Sequence, residues 1–116
     1  MKTSDGIPPK DTRRIYGWHN LPNTYKAARY RITDPGQEPR VITVSRKKRQ
    51  VLEGLMRSPL HSASYCRLSD TVMPLRRDHG VDIECTLYKS DTDTGRDKFG
   101  VYTLSSKVER IDGEGE

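Results

Sequence analysis

Residues 67–83 read "RLSDTVMPLRRDHGVDI", and the expected architecture turns on them. At about 100° per residue, Leu68, Val72 and Leu75 fall within one narrow arc, with His79 beside them. Asp70, Met73, Pro74 and Arg77 lie on the opposite face, Ser69 and Arg76 on one shoulder, Thr71 and Asp78 on the other. This spacing predicts an amphipathic helix over 68–79. Gly80 should close it, because glycine accepts the left-handed conformation that ends many helices. Pro74 stands inside the pattern. A proline has no N–H and its ring crowds the preceding turn, which costs on the order of 3 kcal/mol mid-helix. Two arrangements accommodate it. Asp70 or Thr71 caps the helix, so that Pro74 falls in the first turn, or the helix is continuous and kinked at 74. Pro74 faces away from the apolar arc, so packing survives in both.

Upstream, "RVITV" at 40–44 is a short β-branched strand. Ser45 is a good N-cap, and "RKKRQVLEGLMR" at 46–57 is a helix with Val51, Leu52, Leu55 and Met56 on one face. Gly54 weakens it slightly, and Ser58-Pro59 ends it. "LHSASYC" at 60–66 holds either one small helix or only a turn, with Ser62 and Ser64 as caps. Downstream, Val81, Ile83, Cys85 and Leu87 alternate with Asp82, Glu84, Thr86 and Tyr88, the pattern of a half-buried strand. The polar stretch 90–100 is turn-rich, and "VYTL" at 101–104 pairs back.

The order of strand, three helices and two-stranded hairpin is that of an α+β winged helix-turn-helix with an N-terminal extension. Residues 1–39 hold five of the seven prolines and show no sustained periodicity. They are expected to form a partly ordered arm, with "PNTYKAARYR" at 22–31 as a short helix behind Asn23 or Thr24. Tyr16, Trp18, Tyr25 and Tyr30 suggest that part of the arm docks on the domain. The domain itself is read as 40–104, and 105–116 as a tail ending in acidic "GEGE".

At 116 residues the chain has room for one domain. Hydrophobic and charged residues each make up 32%, too polar for every residue to belong to a packed unit. No apolar run approaches the roughly 18 residues of a membrane span, and the first ten residues lack a secretory signal's apolar core. A soluble, cytoplasmic protein with no membrane partner is expected. Cys66 and Cys85 form no metal-ligand spacing; a disulfide is possible in principle, and reduced thiols suit a cytosolic chain. The net charge of +5 is uneven. Eight Lys/Arg face four Asp/Glu in 1–44, eight face three in 45–79, and five face nine in 80–116. The basic excess in the first two-thirds favours a polyanionic partner, although a soluble surface alone also accounts for +5.

The run "RLSDTVMPLRRDHGVDIEC" resembles small winged helix-turn-helix DNA-binding proteins of bacteria and their prophages. Arg67, Leu68, Ser69, Asp70, Val72, Leu75, Arg76, Gly80, Val81 and Ile83 match the family's recognition helix and its exit into the wing, and the likeness covers about residues 40–104. Pro74 departs from the pattern. The resemblance implies a non-enzymatic transcriptional regulator on double-stranded DNA, with the 68–79 helix in the major groove. Arg77, with Arg76 on the shoulder and Arg67 at the helix entry, suits guanine or phosphate; Ser69 and Thr71 suit phosphate or base edges; Met73 suits a thymine methyl.

Arg46, Lys47, Lys48 and Arg49 cluster at a helix start, where the macrodipole disfavours cations. Free N–H groups, the dipole and four cations together would bind backbone phosphate. Arg96 and Lys98 at the wing tip add a phosphate or minor-groove contact, against the opposing charges of Asp91, Asp93 and Asp97. The bland reading of each site is a solvated, charged face. The arm's "RRIYGWHN" and "YKAARYRI" are either a nucleic-acid contact or a flap anchored by Trp18. His19, His61 and His79 fit no ligand motif, Ser62 and Ser64 no nucleophile elbow, and "DTDTGRD" fails as a calcium loop. No enzyme, cofactor or metal is expected. A protein-interaction module of the phage adaptor or inhibitor type is the competing function. Structured RNA is a further possible partner, and a homodimer on two half-sites is compatible.

Overall fold

A computed structural model describes residues 2–3, 6–22, 25–62, 68–91 and 96–111. Its strands are β1 (Lys2–Thr3), β2 (Arg13–Ile15), β3 (Ala28–Thr33), β4 (Arg40–Val44), β5 (Leu60–Ser62), β6 (Ile83–Asp91), β7 (Arg96–Leu104) and β8 (Lys107–Arg110). Its helices are α1 (Arg46–Arg57), α2 (Ser69–His79) and a 3-10 turn at Trp18–Asn20. One sheet runs β1-β6-β7-β5-β2 and the other β4-β3-β8.

The second sheet follows from a two-residue period. Ala28, Tyr30 and Ile32 point into the core while Arg29 and Arg31 face solvent. Ile42 and Val44 of β4 repeat the pattern. β3 pairs antiparallel with β4, Tyr30 opposite Ile42, and with β8, Ile32 opposite Val108. Ile15, Leu21, Tyr30, Val44, Leu52, Leu68, Leu75 and Ile83 belong to one buried cluster, with Trp18 packed against it. Residues read as an arm therefore supply part of the core.

The winged-helix expectation is corrected here. Among the described residues there are two α-helices, not three, and sheet predominates. Residues 60–62, where a small helix or a turn was expected, form β5, which pairs antiparallel with β7 and parallel with β2; 63–67, the rest of that stretch, lie outside the described residues. β6 and β7 do form the expected hairpin, but it is part of a five-stranded sheet, flanked by β1 at Thr86 and Leu87 and by β5 at Val101 and Tyr102. β4 joins the other sheet, and Lys107–Arg110, assigned to the tail, is a strand. The short helix expected at 22–31 is overturned by the strand at 28–33. Alanine favours helix, but inward alternation of Ala28, Tyr30 and Ile32 buries more apolar surface than an isolated short helix could.

Pro74 is the sixth residue of one continuous helix, so neither Asp70 nor Thr71 is its cap. Thr71 and Val72 N–H groups both donate to Leu68 O, at 3.0 and 2.8 Å. Gly80 ends α2 at φ +65°.

α1 contacts both β7 and α2, and even its polar Arg49, Gln50 and Glu53 are buried. Arg49 Nε donates to Glu53 Oε2 at 2.8 Å and to the Tyr30 hydroxyl at 3.1 Å. Its Nη1 donates to Lys26 O at 2.9 Å. The Tyr30 hydroxyl donates to the same Glu53 oxygen, and Arg110 Nη1 of β8 lies 4.0 Å from it. Burial, and then the Glu53 carboxylate, push the Tyr30 phenol well above its ordinary value. Burial alone would raise Glu53, but hydrogen bonds from Tyr30 and Arg49 and the charges of Arg49 and Arg110 outweigh it and hold the carboxyl below its ordinary range. Gly54 has a packing role: a Cβ there would lie 2.8 Å from Leu21 Cδ2.

Glu53→Ala strands the buried Arg49 guanidinium, and is expected to lower unfolding free energy by about 3–5 kcal/mol in urea titrations. Replacing both partners with apolar residues should recover much of that loss; a cost below about 1 kcal/mol for Glu53→Ala alone contradicts the role given to the network. Because the Glu53 pKa is depressed on folding, its contribution is complete above the ordinary carboxylate pKa and is lost as pH falls through the folded value. Glu53→Gln should therefore flatten the acid limb of the stability–pH curve.

Candidate nucleic-acid interface

α2 buries Thr71, Val72 and Leu75 and leaves Ser69, Asp70, Met73, Arg76, Arg77 and Asp78 exposed. Its carboxyl end is held by a polar clamp. Arg40 donates to Gly80 O and, at 3.1 Å, to Asp34 Oδ2. The Ser106 hydroxyl donates to Asp34 and accepts from the Asp82 N–H at 2.9 Å. The Ser106 hydrogen bond, helped by Arg40, holds Asp34 below the usual carboxylate range despite the opposing effect of burial.

A depression lies on each flank of α2. One, of about 870 Å³, is bordered by Asp34, Arg40, Met73, Arg76 and Arg77. The other, of about 920 Å³, separates α2 from the start of α1 and is walled by Tyr25, Lys26, residues 45–48, Asp70, Thr71 and Pro74. The exposed face of α2 is thus a ridge between two basic hollows.

The start of α1 has an unusual build. The Ser45 side chain makes no capping hydrogen bond, and the first turn carries no acidic residue. The second and third N–H groups of a helix, here those of Lys47 and Lys48, have no intrahelical acceptor. The Arg46 N–H donates to Tyr25 O at 2.9 Å. Arg46 itself sits at φ +55°, a left-handed conformation that costs an L-residue with a Cβ roughly 1–2 kcal/mol.

The residues expected to bind DNA divide. Arg46, Lys48, Met73, Arg76 and Arg77 share the surface around α2. Lys47 lines the hollow, but its Nζ lies 4.9 Å from the Trp18 ring centroid. Arg77 Nε donates to its neighbour Asp78 at 3.0 Å, with both side chains largely exposed, a pair of little net worth that an incoming anion can replace. Ser69 is exposed on α2. Thr71 is buried in the hollow's wall rather than standing on the outward face. Arg49, at 1% exposure, belongs to the buried network and reaches no surface ligand. Arg67 lies outside the described residues. Arg96 and Lys98 have their backbones paired with Asp91 and Lys89, and their side chains also lie outside the description. His79 is half-buried, and burial, followed by the Lys48 charge, lowers its pKa.

Sequence reading left Tyr25 and Lys26, the start of "YKAARYRI", open between a nucleic-acid contact and a flap, and it missed Arg40. A pentapeptide edge strand gives no hint that its first residue, Arg40, spans to Gly80. Cys85 carries a free thiol, raised in pKa chiefly by burial; Cys66 lies outside the described residues. Among the described residues no group of His, Cys, Asp or Glu is arranged to hold a metal ion, and no helix is long and apolar enough to cross a membrane. Comparison with known protein families, curated proteins and solved structures finds no match.

The left-handed Arg46 allows a separation of stability from charge. Arg46→Gly removes the steric penalty and Arg46→Ala keeps it, while both delete the same cation. The glycine variant is expected to be more stable than the alanine variant by about 1 kcal/mol in urea titrations. Equal stabilities would show that the backbone at 46 is not strained.

Proposed function

We propose that the protein is a non-enzymatic DNA-binding protein that takes duplex DNA on the ridge of α2, with the start of α1 against the sugar–phosphate backbone. One observation carries this reading. Arg46, Lys48, Arg76 and Arg77 surround one exposed helix face, and among the described residues only Arg77 has a carboxylate within ion-pair distance, that of Asp78. Unspent positive charge around a protruding helix suits a polyanion with a groove.

α2 is roughly 16 Å long at 1.5 Å per residue, and a major groove about 12 Å wide admits one helix. Arg76 and Arg77 would reach guanine O6 and N7 or a phosphate, and Met73, 51% exposed, a thymine methyl. Arg46 and Lys48 would hold phosphates and set the register without reading sequence. A single helix reads a short site, so two copies on two half-sites fit the same reading. The role of transcriptional regulator in a bacterium or prophage comes from the resemblance of the run at 67–85 alone. The winged-helix architecture is no part of the proposal.

One observation favours an adaptor that binds another protein instead. On the outer face of β4-β3-β8, Val41 is 53% exposed beside Arg29, Arg31 and Lys107, all solvent-facing. A protein-binding face combines an exposed apolar centre with a charged rim in this way.

Fluorescence anisotropy with labelled duplex DNA at two salt concentrations separates the readings. The DNA reading expects affinity to fall with a log–log slope of about −0.9 per phosphate contacted. Lys48→Ala should weaken all sequences alike, and Arg77→Ala should cost about 1–3 kcal/mol on a selected site while relaxing base preference. Absence of binding at low salt removes the DNA reading and leaves the adaptor.

A further inference from the structure

We propose that β4 pairs with β4 of a second copy of this chain, antiparallel across a two-fold axis, so that two three-stranded sheets become one of six strands. The pairing needs no bound DNA and none of the cations placed against DNA.

The backbone of β4 is open along one side. β3 lies between β4 and β8. On the β8 side the Ile111 N–H donates to Arg29 O at 3.1 Å, one step beyond the paired Tyr30 and Arg110. The N–H and C=O of one strand residue point to the same side, and successive residues alternate. Arg29 and Arg31 therefore turn their backbones to β8. Ala28, Tyr30 and Ile32 turn theirs to β4, where they meet Val44, Ile42 and Arg40. Val41 and Thr43 are left with N–H and C=O directed away from β3. Among the described residues no other strand pairs with β4, and neither Val41 nor Thr43 has a further hydrogen bond.

Sheet edges are ordinarily protected from association by charge, proline or brevity. The other three edges of this protein follow that rule. β8 carries Lys107, Glu109 and Arg110, β2 is three residues long with Arg13 and Arg14, and β1 has two residues. β4 has five residues. Its one charge, Arg40, is bound to Asp34 and to Gly80 O. Val41, 53% exposed, and Thr43, also exposed, set β-branched side chains beside the open backbone groups.

A second β4 matches these groups completely. With Ile42 on the axis, Val41 faces the partner's Thr43 and Thr43 faces the partner's Val41. Each facing pair exchanges two hydrogen bonds, so every open N–H of Val41 and Thr43 in both copies meets a carbonyl. A register centred on Val41 or on Thr43 sets the other residue beyond the end of the strand. No like charges face each other, because Arg40 falls opposite the partner's Val44. The solvent-facing Arg29 and Arg31 of the two copies lie three strand spacings apart, about 14 Å, beyond the Debye length of about 8 Å at physiological salt. This two-fold match of donors, acceptors and side chains favours a second copy over a foreign strand. Five residues span roughly 17 Å, so the contact lies at the small end of specific interfaces and the dimer dissociates on dilution.

Sedimentation velocity on the full chain, from about 1 μM to about 1 mM, is expected to show a monomer passing into a dimer. Amide hydrogen exchange over the same range needs no variant: the Val41 and Thr43 N–H groups gain protection with concentration, while that of Ile42, bonded to β3, is protected throughout. Thr43→Pro deletes an outward N–H without touching the β3 ladder, and should weaken the dimer at least about tenfold. Val41→Lys with Thr43→Lys, and separately Val41→Glu with Thr43→Glu, should each give a monomer. An equimolar mixture of the two should dimerise, because every lysine then faces a glutamate. Mixing cannot restore a misfolded chain, and far-UV circular dichroism of each variant alone establishes that it folds. A folded monomer at every concentration leaves β4 to a foreign strand and overturns the proposal. So does exchange at Val41 and Thr43 that ignores concentration, a dimer indifferent to Thr43→Pro, or no dimer in the mixture of folded variants. Duplex binding by a chain that never dimerises defeats this proposal alone, and a β4-linked dimer without duplex binding defeats only the DNA reading.

Discussion

The buried guanidinium of Arg49 is the interaction on which the rest of the structure depends. A charge at 1% exposure is tolerable only if its partners are in place, and they come from widely separated parts of the chain. Glu53 is on the same helix, Tyr30 on β3, the Lys26 carbonyl before β3, and Arg110 on β8 approaches the shared carboxylate. Satisfying Arg49 therefore fixes α1 against the inner face of β4-β3-β8. It also fixes where the helix begins. Residues 46–48 emerge beside Tyr25 because Lys26 is held by Arg49 one turn further along. The polar core costs desolvation, and a hydrophobic substitute of equal volume would be as stable or more so. What it supplies is a defined position for a surface that carries charge.

That surface is poorly designed for stability. Cations at a helix start oppose the macrodipole, the cap residue makes no side-chain bond, and Arg46 occupies a left-handed conformation. Each of these has a cheap remedy in an aspartate, a glycine or a capping hydroxyl turned inward. Local disadvantages concentrated in three or four residues mark sites under a requirement other than folding. Under the proposed reading a polyanion would pair with the cations and accept from the uncapped N–H groups, offsetting two of the three. The neighbouring clamp of Arg40, Asp34 and Ser106 shows the opposite economy: its charges are spent on one another, and it positions the end of α2 without attracting a ligand.

Elements governed by their own residues were legible. β4, α1 and α2 begin and end within a residue of where β-branching, apolar spacing and Gly80 place them, and β6 pairs back on β7. Elements governed by distant partners were not. β5 is three residues long and exists because β7 and β2 flank it. β3 shows its period only once Arg29 and Arg31 are known to face water, and Ala27-Ala28 masks it with a helical look. The four basic residues 46–49 read as one patch, since nothing local distinguishes Arg49. Only its i, i+4 partner Glu53 hinted at a different fate, and that spacing is as common on exposed helices. The winged-helix expectation failed for the same reason. Helices expected at 46–57 and 68–79 are present, but in the stretch 60–66, read as a small helix or a turn, residues 60–62 form a strand.

Pro74 shows how a locally unfavourable residue can serve its surroundings. α2 runs through it unbroken, with the cost taken on the side away from Val72 and Leu75. A residue with an N–H at 74 would bond the Asp70 carbonyl and close the first turn in the ordinary way. Proline leaves that carbonyl without its usual helical donor and sets a rigid apolar ring beside it, on the flank that faces Arg46 and Lys48. Pro74 thereby lends the hollow an apolar edge. Placed on the solvent-facing ridge, the same proline would gain nothing; placed on the core arc, it would displace an anchor. On the flank, between ridge and core, the ring borders a surface hollow and the packing of Val72 and Leu75 is kept.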